Sequence, residues 1–245
     1  MTGNDPYATL STRYDAVMSH VDYPGWARLV ERIWRKLGKS PTRILETGAG
    51  TCRLAAHLSA RGRNLVSTDI SAPMLSRGSG RVPHRVCCDY RRLPFRDGAF
   101  DAALCLYDAV NYCLTTEDLD AFFSEAHRIL APGGVLVFDA TTSHNSRRHF
   151  ADVVFHERIE GGDIVRHSWY DPGPRLQHND FTYFLPRRNG GYERSEEQHV
   201  QRVWPRRAFS VSAEKAGLTM AGCWNDDLDP AETGALRLHM ACLRP

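Results

Sequence analysis

The 245-residue chain lacks most of the features that would settle its class at a glance. It has no apolar run long enough to span a bilayer, so no membrane partner is expected. Its first residues, MTGNDPYATLST, lack a basic-then-apolar pattern, so no signal peptide is expected either. It lacks charge of one sign: the formal balance is only +2, and nothing global demands nucleic acid or a membrane surface. The seven cysteines lack metal-type spacing. Cys87 and Cys88 are adjacent and the others are scattered, several in apolar runs, as reduced thiols of a cytoplasmic protein would be. No two of the eleven histidines are spaced as a ligand pair, so no metal is expected. There is no internal repeat and no low-complexity segment.

What is present is ordinary globular composition, 42% hydrophobic and 24% charged, with patterning that changes once along the chain. Residues 1–22 read as an arm with a short helical piece near Arg13–Met18. The span 23–39 is an amphipathic helix, with Trp26, Leu29, Val30, Ile33, Trp34 and Leu37 at three- and four-residue spacing. Strand and helix signals then alternate. Strands are expected at 43–47, 64–69, 84–89, 100–107 and 135–140, and helices at 51–60, from 72, and at 116–130. Ala131-Pro132-Gly133-Gly134 reads as a turn. Short apolar strands alternating with helices imply a parallel sheet covered on both faces. Residues 151–204 alternate polar and apolar instead. Turns at 160–163, 171–174 and 188–191 make them antiparallel strands. A helix at 205–217 and strands at 218–225 and 235–243 complete the chain. The expected fold is α/β: a doubly wound, seven-stranded, mostly parallel sheet with an inserted antiparallel β lid.

The informative stretch is Ile44-Leu45-Glu46-Thr47-Gly48-Ala49-Gly50-Thr51-Cys52. A strand runs into a glycine turn that opens a helix, at the strand end where α/β sheets bind ligands. Asp69 ends the next strand, where a carboxylate can accept from both hydroxyls of a ribose. A dinucleotide site needs G-x-G-x-x-G, and the third glycine is missing: Arg53 stands there. Glu46, beside a pyrophosphate, would repel it; beside an ammonium it would attract. S-adenosylmethionine has an ammonium, a ribose and no phosphate, so the residues favour it over NAD.

These motifs resemble those of class I S-adenosylmethionine-dependent methyltransferases, and the resemblance runs over nearly the whole chain. It implies that Thr47, Gly48, Ala49 and Gly50 line the cofactor and that Glu46 acts on its amino group, through water. It implies Asp69 on the ribose and Ile70 and Met74 beside the adenine. Cys88, Asp89 and Tyr90 resemble the family's adenine-reading turn, and Leu106 and Tyr107 would face the methionine part. S-adenosylhomocysteine would be the product. Thr51-Cys52-Arg53 departs from the family's usual Thr-Gly-small pattern. The segments 14–26 and 107–112 resemble a bacterial subgroup with an antiparallel lid, in which Tyr14 would close over the methionine end. The lid itself looks like that of sugar-amine and glycine-type N-methyltransferases.

The expected division is an arm and helix at 1–40, a Rossmann-like core at 41–142 and 205–245, and a substrate-side lid at 143–204. Methyl transfer is an in-line displacement, so the enzyme mainly aligns two reactants. Aromatic faces suit a cation, which makes Tyr14, Tyr107 and Tyr112 candidates. Tyr23, Trp26, Asn111, Trp169 and Tyr183 are candidates for the acceptor, although Trp26 also fits the core stripe and Asn111 could simply cap its loop. Tyr112 and His199 are the catalytic candidates, with Asp108 and His144 as other bases. The expected partner is a small-molecule acceptor, methylated on nitrogen or oxygen. The alternatives are an RNA or protein methyltransferase, docking through Arg147-Arg148, Arg187-Arg188 and Arg206-Arg207, and a binding module without activity. Those arginine pairs are interspersed with acids and no aromatic–basic module accompanies them, so nucleic acid is not expected. The lid strands could serve a homodimer as well as a pocket.

Overall fold

The computed structural model describes residues 10–78, 80–159 and 161–245. The first nine residues of the expected arm, and Glu160 in the first expected lid turn, lie outside the described residues. A short helix, α1 (Tyr14–Val17), precedes α2 (Tyr23–Lys36). Asp22 starts α2 by accepting from the Gly25 N–H at 2.8 Å, and Pro24 sits in its first turn, where no N–H is needed. The core then runs β1 (Arg43–Thr47), α3 (Arg53–Ser59), β2 (Asn64–Asp69), α4 (Ala72–Arg77), β3 (Arg85–Cys87), β4 (Phe100–Cys105), α5 (Thr116–Ile129) and β5 (Leu130–Thr141). A helix, α6 (Ser143–His149), leads to lid strands β6 (Asp152–Ile159), β7 (Gly162–Asp171), β8 (Leu176–Pro186) and β9 (Tyr192–Arg202). The chain returns through α7 (Arg206–Lys215), β10 (Thr219–Trp224) and β11 (Arg237–Leu243).

The seven-stranded sheet has the order β10-β11-β5-β4-β1-β2-β3. Strands β1 to β5 pair in parallel, while β11 runs antiparallel to both of its neighbours. Successive side chains of a strand face opposite ways, and here both ways are buried. Ile44, Ala102, Leu104, Val135 and Val137 meet the α2 residues Ala27, Val30, Ile33 and Trp34 on one face. Leu45, Ala103, Leu136 and Phe138 meet Leu119, Phe122, Phe123 and Phe209 from α5 and α7 on the other. Burial of each such large side chain contributes about 1.5–3 kcal/mol.

Two local differences from the sequence reading have physical causes. Residues 131–134 bulge out between Leu130, opposite Phe100, and Val135, opposite Ala102. Their backbone still bonds to Arg244, at Gly133 N–H and Gly134 C=O, so the strand is continuous from Leu130 through the expected turn. The helix α6 was not expected. Its signal is Thr142, whose hydroxyl accepts from the Asn145 N–H at 3.1 Å.

The lid is a separate antiparallel sheet, β6-β7-β8-β9. Its register places Arg166 opposite Phe155 and Phe181, and Asn179 opposite Ser168 and His199. Val17 of α1 packs with Ile159, Ile164 and Tyr183 in a small cluster of their own, so α1 bridges core and lid.

Candidate active site

β1, β2 and β4 end at one edge of the sheet in Thr47, Asp69 and Cys105, and the residues that follow close around a cleft. Gly48 and Gly50 have φ of +63° and +55°. A Cβ on Gly48 would stand 2.8 Å from the Ala109 Cβ, and one on Gly50 would stand 3.2 Å from the Met74 methyl. Glycine is therefore needed twice over, for the bend and for the close approach. Asp69 secures the turn, accepting from Gly50 N–H at 2.8 Å and from Ser71 N–H at 2.9 Å. A carboxylate can accept about four hydrogen bonds, so it can hold a turn and a ligand together. Glu46 is buried beneath the turn, and the Ser67 hydroxyl donates to its Oε2 at 3.1 Å. Burial pushes its carboxyl up to about 8, against the pull of Ser67 and with the help of Asp69.

The cleft continues past Asp69. Ile70 is 55% exposed on its wall and faces it together with Met74, an apolar surface suited to a flat ring. Asp89 lies further along. Burial would raise its pKa, but the Arg91 guanidinium and backbone N–H both donate to it and leave it below the ordinary value. The other end of the cleft is closed by Tyr14, Tyr23, Trp26, Leu106 and Tyr107 over Glu46.

Tyr14 reaches the cleft because α1 is tied to the glycine turn. The Thr51 hydroxyl donates to Asp15 at 2.6 Å, and Arg81 joins Asp15 to the Thr51 carbonyl. The Arg53 guanidinium lies 4.5 Å from the Tyr23 ring centroid. The departure at 51–53 thus has a structural role: these residues hold the arm and α2 against the turn.

A second tie forms at the end of β4. Tyr107 and Asp108 both have left-handed φ, +62° and +61°, which costs energy in non-glycine residues and persists only where the surroundings impose it. Arg237, arriving on β11, donates to both carboxylate oxygens of Asp108 at 2.8 and 3.0 Å and also to Asp139. Its guanidinium stands 5.3 Å from the ring centroids of both Trp26 and Tyr107. Asp139 is fully buried; burial pushes it up to about 6, while Arg237 pulls it down.

Beyond Tyr14 and Tyr107 lies a second cavity, walled by the lid. Tyr112 and His199 line both this cavity and the first, and the Tyr112 hydroxyl meets His199 Nδ1 at 3.1 Å. Burial pulls His199 down to about 4, so its ring is neutral at neutral pH. Strand parity puts Arg166, Gln177, Asn179, Phe181 and Gln201 on the same lid face.

Several sequence-selected residues stand elsewhere. Thr47 donates to the Leu104 carbonyl at 3.0 Å, between strands. Cys88 packs against the α5-side core. Asn111 is fully buried, donating to the Arg202 carbonyl at 2.7 Å and accepting from Thr141 N–H at 3.2 Å, so it staples the lid to the core. Trp169 has the opposite parity to Arg166 and stacks on His178 on the far side of the lid. Tyr183 faces inward but is consumed by the cluster with Val17. His144 is exposed and lines none of these cavities. Sequence reasoning missed Arg237, Asp139 and Arg166. The alternation of β7 separates Arg166 from Trp169 without telling which of them faces inward, and Arg237 joins the site only through the long-range pairing of β11 with β5.

Residues 45–138 match the family described as a methyltransferase domain. The chain is 28% identical over 220 residues, 87% of either length, to YqeM, a Bacillus subtilis protein provisionally named a methyltransferase. Its fold is similar to an S-adenosylmethionine-dependent methyltransferase from Clostridium acetobutylicum, with a TM-score of 0.81, 21% identity and 97% and 98% of the two chains covered. The chain is a methyltransferase. Another structure similar to this methyltransferase is the sugar N-methyltransferase KedS8 from Streptoalloteichus, with a TM-score of 0.77, 20% identity and 93% and 90% coverage. The methyltransferase has the mostly parallel seven-stranded sheet of these folds. No helix among its described residues is long and apolar enough to cross a membrane.

Proposed function

We propose that this methyltransferase acts on a small molecule held between core and lid, at an amine nitrogen in preference to a hydroxyl. The observation that carries the reading is the lid-walled cavity, which shares Tyr14, Tyr107, Tyr112 and His199 with the cofactor cleft. The cleft fits the cofactor chemically. A buried carboxylate, Glu46, suits an ammonium, Asp69 at the strand end suits a ribose, and Ile70 with Met74 suits an adenine. We assign Asp89 to the adenine amine, Gly48, Ala49 and Gly50 to the backbone cradle, and Tyr14, Leu106 and Tyr107 to the methionine end. Bound S-adenosylmethionine supplies a methyl group on a sulfonium, an excellent leaving group.

The chain's own residues then have three tasks. Tyr14 and Tyr107 stand between cleft and cavity, where their ring faces favour positive charge. Tyr112 and His199 orient the acceptor's polar hydrogen. The α1 and Arg237 ties keep both aromatic rings in place, so that donor and acceptor meet in line. A histidine held near 4 is a weak base and could not ionise a hydroxyl. An amine needs no such base, because a desolvated pocket already favours its neutral, nucleophilic form. That argument, with the N-methylating relative, supports nitrogen. The cysteines, all free, suit a reducing compartment such as the cytoplasm.

The test is transfer of labelled methyl from S-adenosylmethionine into a cell extract fractionated into small molecules, RNA and protein. Label is expected in the small-molecule fraction. Label confined to RNA or protein overturns the reading.

A further inference from the structure

Arg166 on β7 faces the acceptor cavity and, among the described residues, makes no ion pair. Arg237 is paired with Asp108 and Asp139, Arg91 with Asp89 and Asp118, and Arg81 with Asp15, while Arg53 lies over the Tyr23 ring and reaches the Asp15 carbonyl. Among the described residues no carboxylate lies within ion-pair distance of Arg166, and no acceptor reaches its buried Nε. Its guanidinium is instead held by rings. Phe155 lies 4.5 Å away, and Phe150 and Phe181 lie 5.8 and 5.9 Å away, measured to their centroids. Arginine stays charged even where burial lowers its pKa, as it does here. The side chain is only half-buried and opens onto the cavity that also borders Tyr107.

Rings that pack a guanidinium on its faces leave its N–H edges for planar recognition of an oxyanion. The neighbouring lid face adds the Asn179 amide, whose oxygen is taken by the Ser168 hydroxyl and whose N–H groups can complete such a seat, whereas both N–H groups of Gln177 are already donated to backbone carbonyls. Glu157 lines the same cavity and its charge opposes the effect of burial on Arg166, but it is exposed and lies beyond ion-pair distance of the guanidinium.

Resting on the small-molecule reading above, we propose that the methyl acceptor carries an oxyanion, a carboxylate or a phosphate, bound by Arg166 in the lid cavity. The acceptor is then anchored at its anionic end by Arg166, while its nucleophile points between Tyr14 and Tyr107. Specificity for the anion comes from the lid and is separate from cofactor binding.

Two probes distinguish the sources. Enzyme saturated with S-adenosylhomocysteine is titrated with inorganic phosphate and, separately, with acetate. Wild type is expected to bind at least one of them, and the one bound tells phosphate from carboxylate. Arg166→Gln should weaken that binding at least tenfold, Arg166→Lys should keep part of it, and both variants should bind S-adenosylhomocysteine as wild type does. That last measurement also shows that the variants are folded. No binding of either probe by wild type, or equal binding by Arg166→Gln, overturns the proposal. The labelled small-molecule product supplies a second arm. It should be retained on an anion exchanger at pH 7. Label in a small molecule that passes through unretained overturns the anionic acceptor alone, whereas label only in RNA or protein overturns the small-molecule reading itself.

Discussion

At the scale of residues, two carboxylates do different work because their surroundings differ. Asp69 accepts two backbone N–H bonds at the edge of the cleft. Its replacement by alanine should weaken S-adenosylmethionine binding by about 1–3 kcal/mol, the scale of lost charge-assisted hydrogen bonds, as read by calorimetry. Unchanged affinity would remove it from the ribose. Glu46 is buried and raised from near 4.5 to about 8, so the free enzyme holds a proton there at pH 7. Folded protein therefore binds more protons than unfolded protein between these values, and stability falls as pH rises from about 4.5 to about 8. An arriving ammonium favours the ionised form, so cofactor binding at pH 7 should release a proton. Calorimetry in buffers of different ionisation heat measures that release, which should vanish in Glu46→Gln. Both carboxylates were legible in the sequence, because a glycine turn after one strand and an acid at the end of the next are local signals. The burial that sets their protonation was not, since it depends on what packs above them.

At the scale of elements, α1 is too short to be stable on its own and is placed by its contacts. Asp15 ties it to Thr51 and Arg81, and Val17 ties it to the lid. Thr51→Val removes one hydrogen bond to a carboxylate, worth roughly 1.5–3 kcal/mol. The Kd for S-adenosylmethionine should rise by about tenfold or more, with a smaller effect on the melting temperature, because the core helices do not depend on this tie. A wild-type Kd would show that Tyr14 needs no such anchor. The strands β1 and β2 were read from sequence to the residue, because their apolar runs are bounded by clear turn signals. The lid strands were read as elements, but which of their faces looks inward was not. Trp169 and Arg166 differ by parity alone, and only docking against α1 and the Asn111 loop sets which side meets the core.

At the scale of the molecule, core and lid meet over α1 and along β9. Asn111 bonds across to Arg202, the Gln201 amide donates to the Asp108 carbonyl at 3.1 Å, and the Trp204 indole donates to the Cys113 carbonyl at 2.8 Å. These ties fix the lid-walled cavity against the cleft, so that in the proposed reaction donor and acceptor share one wall. The parallel sheet and the inserted antiparallel sheet were both legible, since periodicity reports local burial on each strand. The Arg237 network was not, because it joins residues about 100 and 130 positions apart that meet only when β11 closes the sheet. The most direct measurement is a parallel titration of the purified protein with S-adenosylmethionine, S-adenosylhomocysteine and NAD. Saturable heats are expected for the first two and none for NAD; binding of NAD with no binding of S-adenosylmethionine would overturn the cofactor assignment.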